Sequence, residues 1–249
     1  MPGKVYIVGT GPGDPELITL KALRAIREAD VIVYDRLIPR EVLGHAKNGA
    51  ELIYAGKRPG HHAMTQDEIN KLLLEKALEG KTVARLHGGD PYVFGRGEEE
   101  CMYLRSHGVS CEVVPGITSV IAGPAYAGIP VTSRGVASSF AAATGREAPG
   151  KERRHVYYGK LMKAVDTLVV VMGVGNLENI VREMLEEGID PDLPVAIVEN
   201  ATLPSQRVVT GKLRDIVGRA REAGVKPPAV IVFGRVVELR EKLWSLDRG

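Results

Sequence analysis

Short apolar runs alternate with longer stretches whose apolar positions recur every three or four residues through the first half of the chain. That alternation is the pattern of a parallel sheet covered by helices. It predicts strands over 5–9, 31–35, 51–56, 82–87 and 112–115. Between the first two, the segment 19–29 carries Leu20, Leu23 and Ile26 at helical spacing, and Thr19 is placed to cap it. The segment 65–78 gathers Ile69, Leu72, Leu73 and Leu78 as a buried face, while Thr65 and Glu68 have the spacing of a capping box. A further helix is expected after Gly97, where Glu98, Glu99 and Glu100 would face the positive end of the helix dipole.

After Pro115-Gly116 the texture changes, with small residues crowding 122–127 and a charged, Gly/Pro-bearing stretch over 145–154. The change marks a linker near 115–120. It divides an N-terminal α/β domain with a parallel sheet, 1–115, from a C-terminal α/β domain with a mixed sheet, 120–249. The second domain is expected to hold strands over 139–144, 167–172, 195–199, 207–210 and 229–233, with helices over 177–187 and 213–223.

Composition narrows the class. With 33 Lys and Arg against 31 Asp and Glu, the formal charge is only +2, so bulk electrostatics call for neither nucleic acid nor an anionic membrane. An anionic substrate would have to be met by a local cluster of arginines. Cys101 and Cys111 lack metal-ligand spacing and read as ordinary reduced thiols of a cytoplasmic protein, rather than as a metal site or a disulfide. No apolar run reaches transmembrane length.

The stretch Gly9-Thr10-Gly11-Pro12-Gly13-Asp14 has the look of a nucleotide loop. A dinucleotide fingerprint, however, needs glycine where Asp14 stands, and Pro12 removes a donor that a pyrophosphate would use. Glu79-Gly80-Lys81-Thr82 fails as a P-loop because Glu75 occupies the position of the required glycine. Gly80 is better explained as a helix terminator.

Ligands of open parallel sheets bind beyond the carboxyl ends of the strands. Four predicted ends are chemically loaded: the glycine loop, Tyr34-Asp35-Arg36, Gly56-Lys57-Arg58 and Gly88-Gly89-Asp90-Pro91. Each alone also fits a turn or a solvated charge pair. On one edge of one sheet, the four make a site. His61 and His62 lie in a Gly/Pro loop without a third ligand for zinc, so a role for that loop in binding carboxylates is preferred. His45, His87, His107 and His155 are isolated and read as structural or solvent-facing. No Gly-x-Ser-x-Gly elbow is present, which leaves a chemistry whose reactive group a cofactor brings.

Taken in order, Val8 to Ala22, Val33 to Leu37, Gly56-Lys57-Arg58, Gln66 to Asn70, Arg85 to Glu99 and Val114 to Ser119 resemble the uroporphyrinogen-III C-methyltransferases. Gly128 to Thr132, Val171 to Gly173, Val195 to Thr202 and Gly234 to Val237 continue the likeness over nearly the whole chain. The glycine loop and Gly-Gly-Asp-Pro are shared by the wider tetrapyrrole methyltransferase group. The narrower assignment rests on the segments around Asp35, Lys57 and Gln66.

The resemblance implies two α/β domains with a ligand cleft between them, unlike the dinucleotide-binding Rossmann methyltransferases, and a homodimer. It implies S-adenosyl-L-methionine as cofactor, S-adenosyl-L-homocysteine as its product, and no metal. The implied reaction adds methyl groups at C2 and C7 of uroporphyrinogen III to give precorrin-2 for siroheme and cobalamin synthesis. Cofactor contacts would fall on Pro12, Gly88, Gly89, Asp90 and Val93, on Thr118 and Ser119, and on Met172 and Ala201. Asp35 would accept a proton and Lys57 donate one. Against a substrate with eight carboxylates, Arg36, Arg58, Arg96, Arg134 and Arg146, with His62, are the candidate partners by their place near predicted loops.

Three positions depart from the family pattern: Arg146 stands for a usual histidine, Ser119 for alanine and Ala201 for glycine. The chain carries no counterpart of the dehydrogenase–ferrochelatase module fused to some relatives, so a single activity is expected. The alternatives are a neighbouring methyltransferase, of precorrin-4 type or a diphthine synthase, and a non-catalytic tetrapyrrole binder.

Overall fold

The computed structural model describes residues 2–56, 63–146 and 155–243. The chain divides into two compact units, Met1–Thr118 and Ser119–Gly249.

In the first unit, β1 (Lys4–Gly9) is followed by α1 (Leu20–Glu28), β2 (Val31–Tyr34), α2 (Arg40–Leu43), β3 (Glu51–Tyr54) and α3 (Gln66–Leu78). Then come β4 (Val83–His87), α4 (Gly97–Ser106) and β5 (Ser110–Val114). The sheet runs β3-β2-β4-β1-β5, and every pairing is parallel. Central β4 is buried at all its positions because helices cover both faces of the sheet. One face packs Val5, Ile7 and Val33 with Leu73 of α3 and Leu104 of α4. The other packs Val8, Ile32 and Leu86 with Ile26 of α1.

Local chemistry sets the helix starts. Thr19 Oγ1 accepts from Ala22 N at 3.1 Å. Thr65 and Glu68 form the reciprocal box, with Thr65 N donating to Glu68 Oε2 at 2.6 Å and Glu68 N donating to Thr65 Oγ1 at 3.3 Å. Gly80, at φ 81°, follows the C-terminal turn of α3 and takes the left-handed conformation that ends it.

The second unit contains α5 (Ser119–Tyr126), β6 (Phe140–Thr144), α6 (Tyr158–Ala164), β7 (Thr167–Val171) and α7 (Leu177–Glu186). They are followed by β8 (Pro194–Glu199), β9 (Arg207–Lys212), α8 (Ile216–Glu222), β10 (Ala229–Phe233) and α9 (Arg240–Leu243). Its sheet, β6-β7-β10-β8-β9, is mixed: β6 and β7 are parallel and the other pairs antiparallel. Leu168, Ile180, Met184, Ile197 and Phe233 form a fully buried apolar core.

One element is added and one expectation corrected. The small-residue stretch after the linker, to which the sequence pattern assigns no element, is a helix, α5, although Pro124 lies inside it. Its small residues serve close packing: a Cβ on Gly123 would come 3.1 Å from Val230 Cγ2 and 3.3 Å from Ala201 Cβ. The cysteines are also not free thiols, because Cys101 of α4 and Cys111 of β5 are joined in a disulfide with Cα atoms 5.6 Å apart. Helix and strand run side by side from a short connection, so a separation of 10 residues in sequence becomes contact in space.

Candidate active site

All five strands of the first unit point the same way, so their carboxyl ends share one edge. Three of the loops there touch backbone to backbone. Gly89 N donates to Gly11 O at 2.6 Å, and Gly11 N donates to Gly89 O at 3.2 Å. A Cβ on Gly9 would lie 2.6 Å from Gly116 N and 2.7 Å from Gly89 O, a contact real side chains do not make. These glycines are therefore required by loop-on-loop packing.

Two rim carboxylates serve the same framework. Asp14 Oδ1 accepts from Glu16 N at 2.9 Å and caps the 3-10 turn Pro15–Leu17. Asp90 Oδ1 accepts from Tyr92 N at 2.8 Å, and its Oδ2 accepts from Gly116 N at 3.0 Å. Asp90 thus staples the β4 and β5 loops together.

Asp35 follows β2, where Val33 is in register with Arg85 of β4. Its Oδ1 accepts from Leu37 N at 2.9 Å, and its Oδ2 faces the Arg85 guanidinium at 3.8 Å. The carboxylate is held at two atoms yet is 31% exposed, open to a ligand at the rim.

Behind it lies a cluster that sequence reasoning missed. Glu100, fully buried, receives Arg85 Nε at 3.2 Å and Gln66 Nε2 at 3.0 Å on one oxygen, and His87 Nε2 at 2.8 Å on the other. A carboxylate can only accept, so His87 Nε2 carries the hydrogen. Gln66 also donates to Asn70 Oδ1 at 3.1 Å. Burial pushes the Glu100 carboxyl up, but the His87 hydrogen bond, the charges of His87 and Arg85 and the Gln66 bond outweigh it. Its net direction is below the ordinary value, so the buried group is a carboxylate.

Of the two expectations for His87 the structural one holds, but the residue is not isolated; Glu100 does lie in the first turn of α4, and is buried there as a network partner as well. Arg85 and His87, two apart, share one face of a buried strand, which demands an acceptor across from them. That alternation was the available signal.

The remaining expected residues are distributed as follows. Lys57, Arg58 and His62 lie outside the described residues. Arg36 is exposed beside Asp35, and half-buried Pro12 and Gly88 sit in the rim loops. Val93 is exposed in the β4–α4 loop, where Phe94 and Arg96 take positive φ values of 57° and 65°. Arg96 already forks onto Glu99 at 2.9 and 2.8 Å, and that hydrogen-bonded partner raises its pKa. Thr118 ends the first unit and Ser119 opens α5.

Within the second unit, Arg134 is exposed in a turn closed by the Ser133–Ala137 bridge, and Arg146 is exposed just after β6. Met172 follows β7 and Ala201 follows β8, at one edge of that unit's sheet. Met172 has φ 55°, and Asn200 and Thr202, which flank Ala201, have φ 49° and 69°. Left-handed backbone at non-glycine residues costs energy and concentrates at functional rims. The Ala201 methyl fits because residue 123, facing it, is glycine. Among the described residues no cluster of three His, Cys, Asp or Glu side chains is arranged to hold a metal ion.

The family model described as Tetrapyrrole (Corrin/Porphyrin) Methylases matches residues 4–217. The chain belongs to the tetrapyrrole methyltransferase family. Among relatives, it is 55% identical over 240 residues to a uroporphyrinogen-III C-methyltransferase of Methanocaldococcus jannaschii, covering 96% of this chain and 98% of that protein. The enzyme of that name from Priestia megaterium is 48% identical, with 94% and 98% covered. Among solved structures, uroporphyrin-III C-methyl transferase from Thermus thermophilus, complexed with S-adenyl homocysteine, matches with TM-score 0.81 at 43% identity, over 95% of this chain and 94% of that one. A cobalt precorrin-4 methyltransferase matches with TM-score 0.84 at 31% identity, over 94% and 95%. Backbone shape is thus common to family members with different substrates, and identity separates them.

Proposed function

We propose that this chain transfers methyl groups from S-adenosyl-L-methionine to C2 and C7 of uroporphyrinogen III, giving precorrin-2. One observation carries the reading: 55% identity, over nearly the full length of both chains, with a protein named for that activity. The rim geometry agrees, since Asp35 is an anchored, accessible carboxylate beside a buried charge network. Such a group can take the proton that the ring system sheds after carbon–carbon bond formation.

The cofactor's part is a methyl group on a cationic sulfonium. The residues fit it, because a rim bearing Asp14, Asp35 and Asp90 repels phosphate and tolerates a cation. On the first unit, Pro12, Gly88, Gly89 and Val93 are the proposed contacts, with Asp90 holding their loops. Thr118, Ser119, Met172 and Ala201 join them on the resemblance alone, as does Lys57 as proton donor. Arg36, Arg58, Arg134 and Arg146, with His62, are proposed to meet the substrate's carboxylates. Arg96 can do so only in competition with Glu99.

A homodimer and a cytoplasmic location belong to the same proposal, to be checked by sedimentation and cell fractionation. With Cys101 and Cys111 bonded, the thiol argument for a reducing compartment no longer supports the second. No described helix is long and apolar enough to cross a membrane.

The test is incubation with uroporphyrinogen III and labelled S-adenosyl-L-methionine, followed by mass analysis. A gain of two methyl groups is expected. Methylation only of a later corrin intermediate, or of a protein, would assign the chain to a neighbouring activity instead.

A further inference from the structure

We infer that Glu100 is a positioning residue for the methyl transfer: it draws the Arg85 guanidinium inward and so keeps Asp35 basic enough to accept the ring proton. The inference rests on the functional reading above. Arg85 is 5% exposed and stands between two carboxylates, with Nε 3.2 Å from Glu100 and a terminal nitrogen 3.8 Å from Asp35. The inner contact is a hydrogen bond and the outer one is not. The guanidinium is thus held by Glu100 and by the Leu86 carbonyl, to which Nη1 donates at 2.8 Å, and gives Asp35 only a distant charge.

The difference matters for the chemistry. A carboxylate in a close ion pair with arginine becomes a weaker base, whereas one left wholly exposed is not oriented. In the arrangement observed, Leu37 N orients Asp35 at one oxygen, Arg85 stands off the other, and Glu100 holds Arg85 back from a closer approach. In the transfer, the new carbon–carbon bond is made with a ring electron pair, and the carbon–sulfur pair stays on sulfur. The ring then carries one positive charge, which it loses as a proton to an Asp35 oxygen.

Among the described residues, few groups face this unit. From β4, Arg85 and His87 face Glu100; from α3, Gln66 faces it; on its own helix Glu99 directly precedes it, paired with Arg96 one turn back. Asp35 meets Arg85 from β4 and adjoins Arg36 and Tyr34, and Tyr34 packs on Tyr54 of β3.

The test is the pH profile of kcat/KM and kcat with uroporphyrinogen III for Glu100→Gln, alongside Gln66→Ala and Glu100→Asp. Removing the Glu100 charge frees Arg85 to pair closely with Asp35. The acid limb in Glu100→Gln is therefore expected to move down by about one pH unit. Its plateau kcat should fall about tenfold, with KM changed less than about twofold. Gln66→Ala and Glu100→Asp retain the charge and should leave the acid limb in place.

An unmoved limb in Glu100→Gln, or an equal shift in all three variants, would overturn the inference in favour of a packing role. If Glu100→Gln does not fold, as judged by S-adenosyl-L-methionine binding and thermal melting, Glu100→Asp decides. A lowered rate with an unmoved limb supports the proposal, and a displaced limb overturns it. Failure of the wild-type chain to methylate uroporphyrinogen III at all would strike the functional reading instead.

Discussion

The central strands of the two sheets make opposite use of burial. In the first unit, β4 reads Val83-Ala84-Arg85-Leu86-His87 and is buried throughout, with two polar side chains on one face turned to a buried carboxylate. In the second, β10 reads Ala229-Val230-Ile231-Val232-Phe233, entirely apolar, and is packed by Leu168, Ile180 and Ile197. Apolar packing gives more stability for the same volume, whereas a buried ion network recovers its desolvation cost only when every partner is present. The centre of the second sheet is packed for stability alone. The first accepts a charged interior directly behind Asp35, the carboxylate proposed to take the ring proton.

The sharpest way to break this comparison is to remove Asp35. Asp35→Asn should lower kcat about 10²–10⁴-fold while leaving the melting temperature nearly unchanged, read by steady-state kinetics and calorimetry. A rate near wild type would remove it as the proton acceptor.

Next come the interiors themselves. Glu100→Ala leaves Arg85 and His87 buried without their acceptor and should cost about 3–5 kcal/mol in denaturant unfolding. Phe233→Ala should cost a similar amount through a cavity. The two losses differ in kind: the double substitution Arg85→Met/Glu100→Leu should recover much of the stability and none of the activity. If activity returned with stability, the network would be a structural feature only.

A smaller effect is expected where the loops touch. At Gly116 an added Cβ would strike Gly89 O, so Gly116→Ala should cost about 1–3 kcal/mol and weaken cofactor binding, measured by calorimetric titration.

The smallest effect lies at the surface, with Glu112 at the edge of the first sheet. Hydrogen bonds from Lys21 and Lys4 depress its pKa from 4.5 to about 2. Its contribution is therefore present above about pH 4.5 and is lost as pH falls towards 2. The group is one-third exposed, so solvent screening holds the contribution under about 1 kcal/mol, measurable as the difference in acid unfolding between wild type and Glu112→Gln.

Much of this was legible in the chain. Alternation located the strands of both sheets, and Thr19 and the Thr65–Glu68 pair marked their helix starts, because caps and periodicity are short-range matters. The loaded strand ends around Gly9, Asp35 and Gly88 were visible for the same reason, and parallel pairing places them on one edge. Less legible was α5, where Pro124 and a run of small residues hide a helix whose packing partner is far away in sequence.

The charged interior was not legible at all as a unit. Gln66, Arg85, His87 and Glu100 come from α3, β4 and α4, and nothing local says that they meet. The same is true of Cys101 and Cys111. By itself, then, the sequence determined the succession of elements and the residues offered at each strand end, since backbone preference and hydrophobic period act over a few residues. Which side chains share a desolvated space was settled by packing between elements distant in the chain. A buried charge is tolerated or refused according to the acceptor across from it, and the layering of helices on the sheet chooses that acceptor.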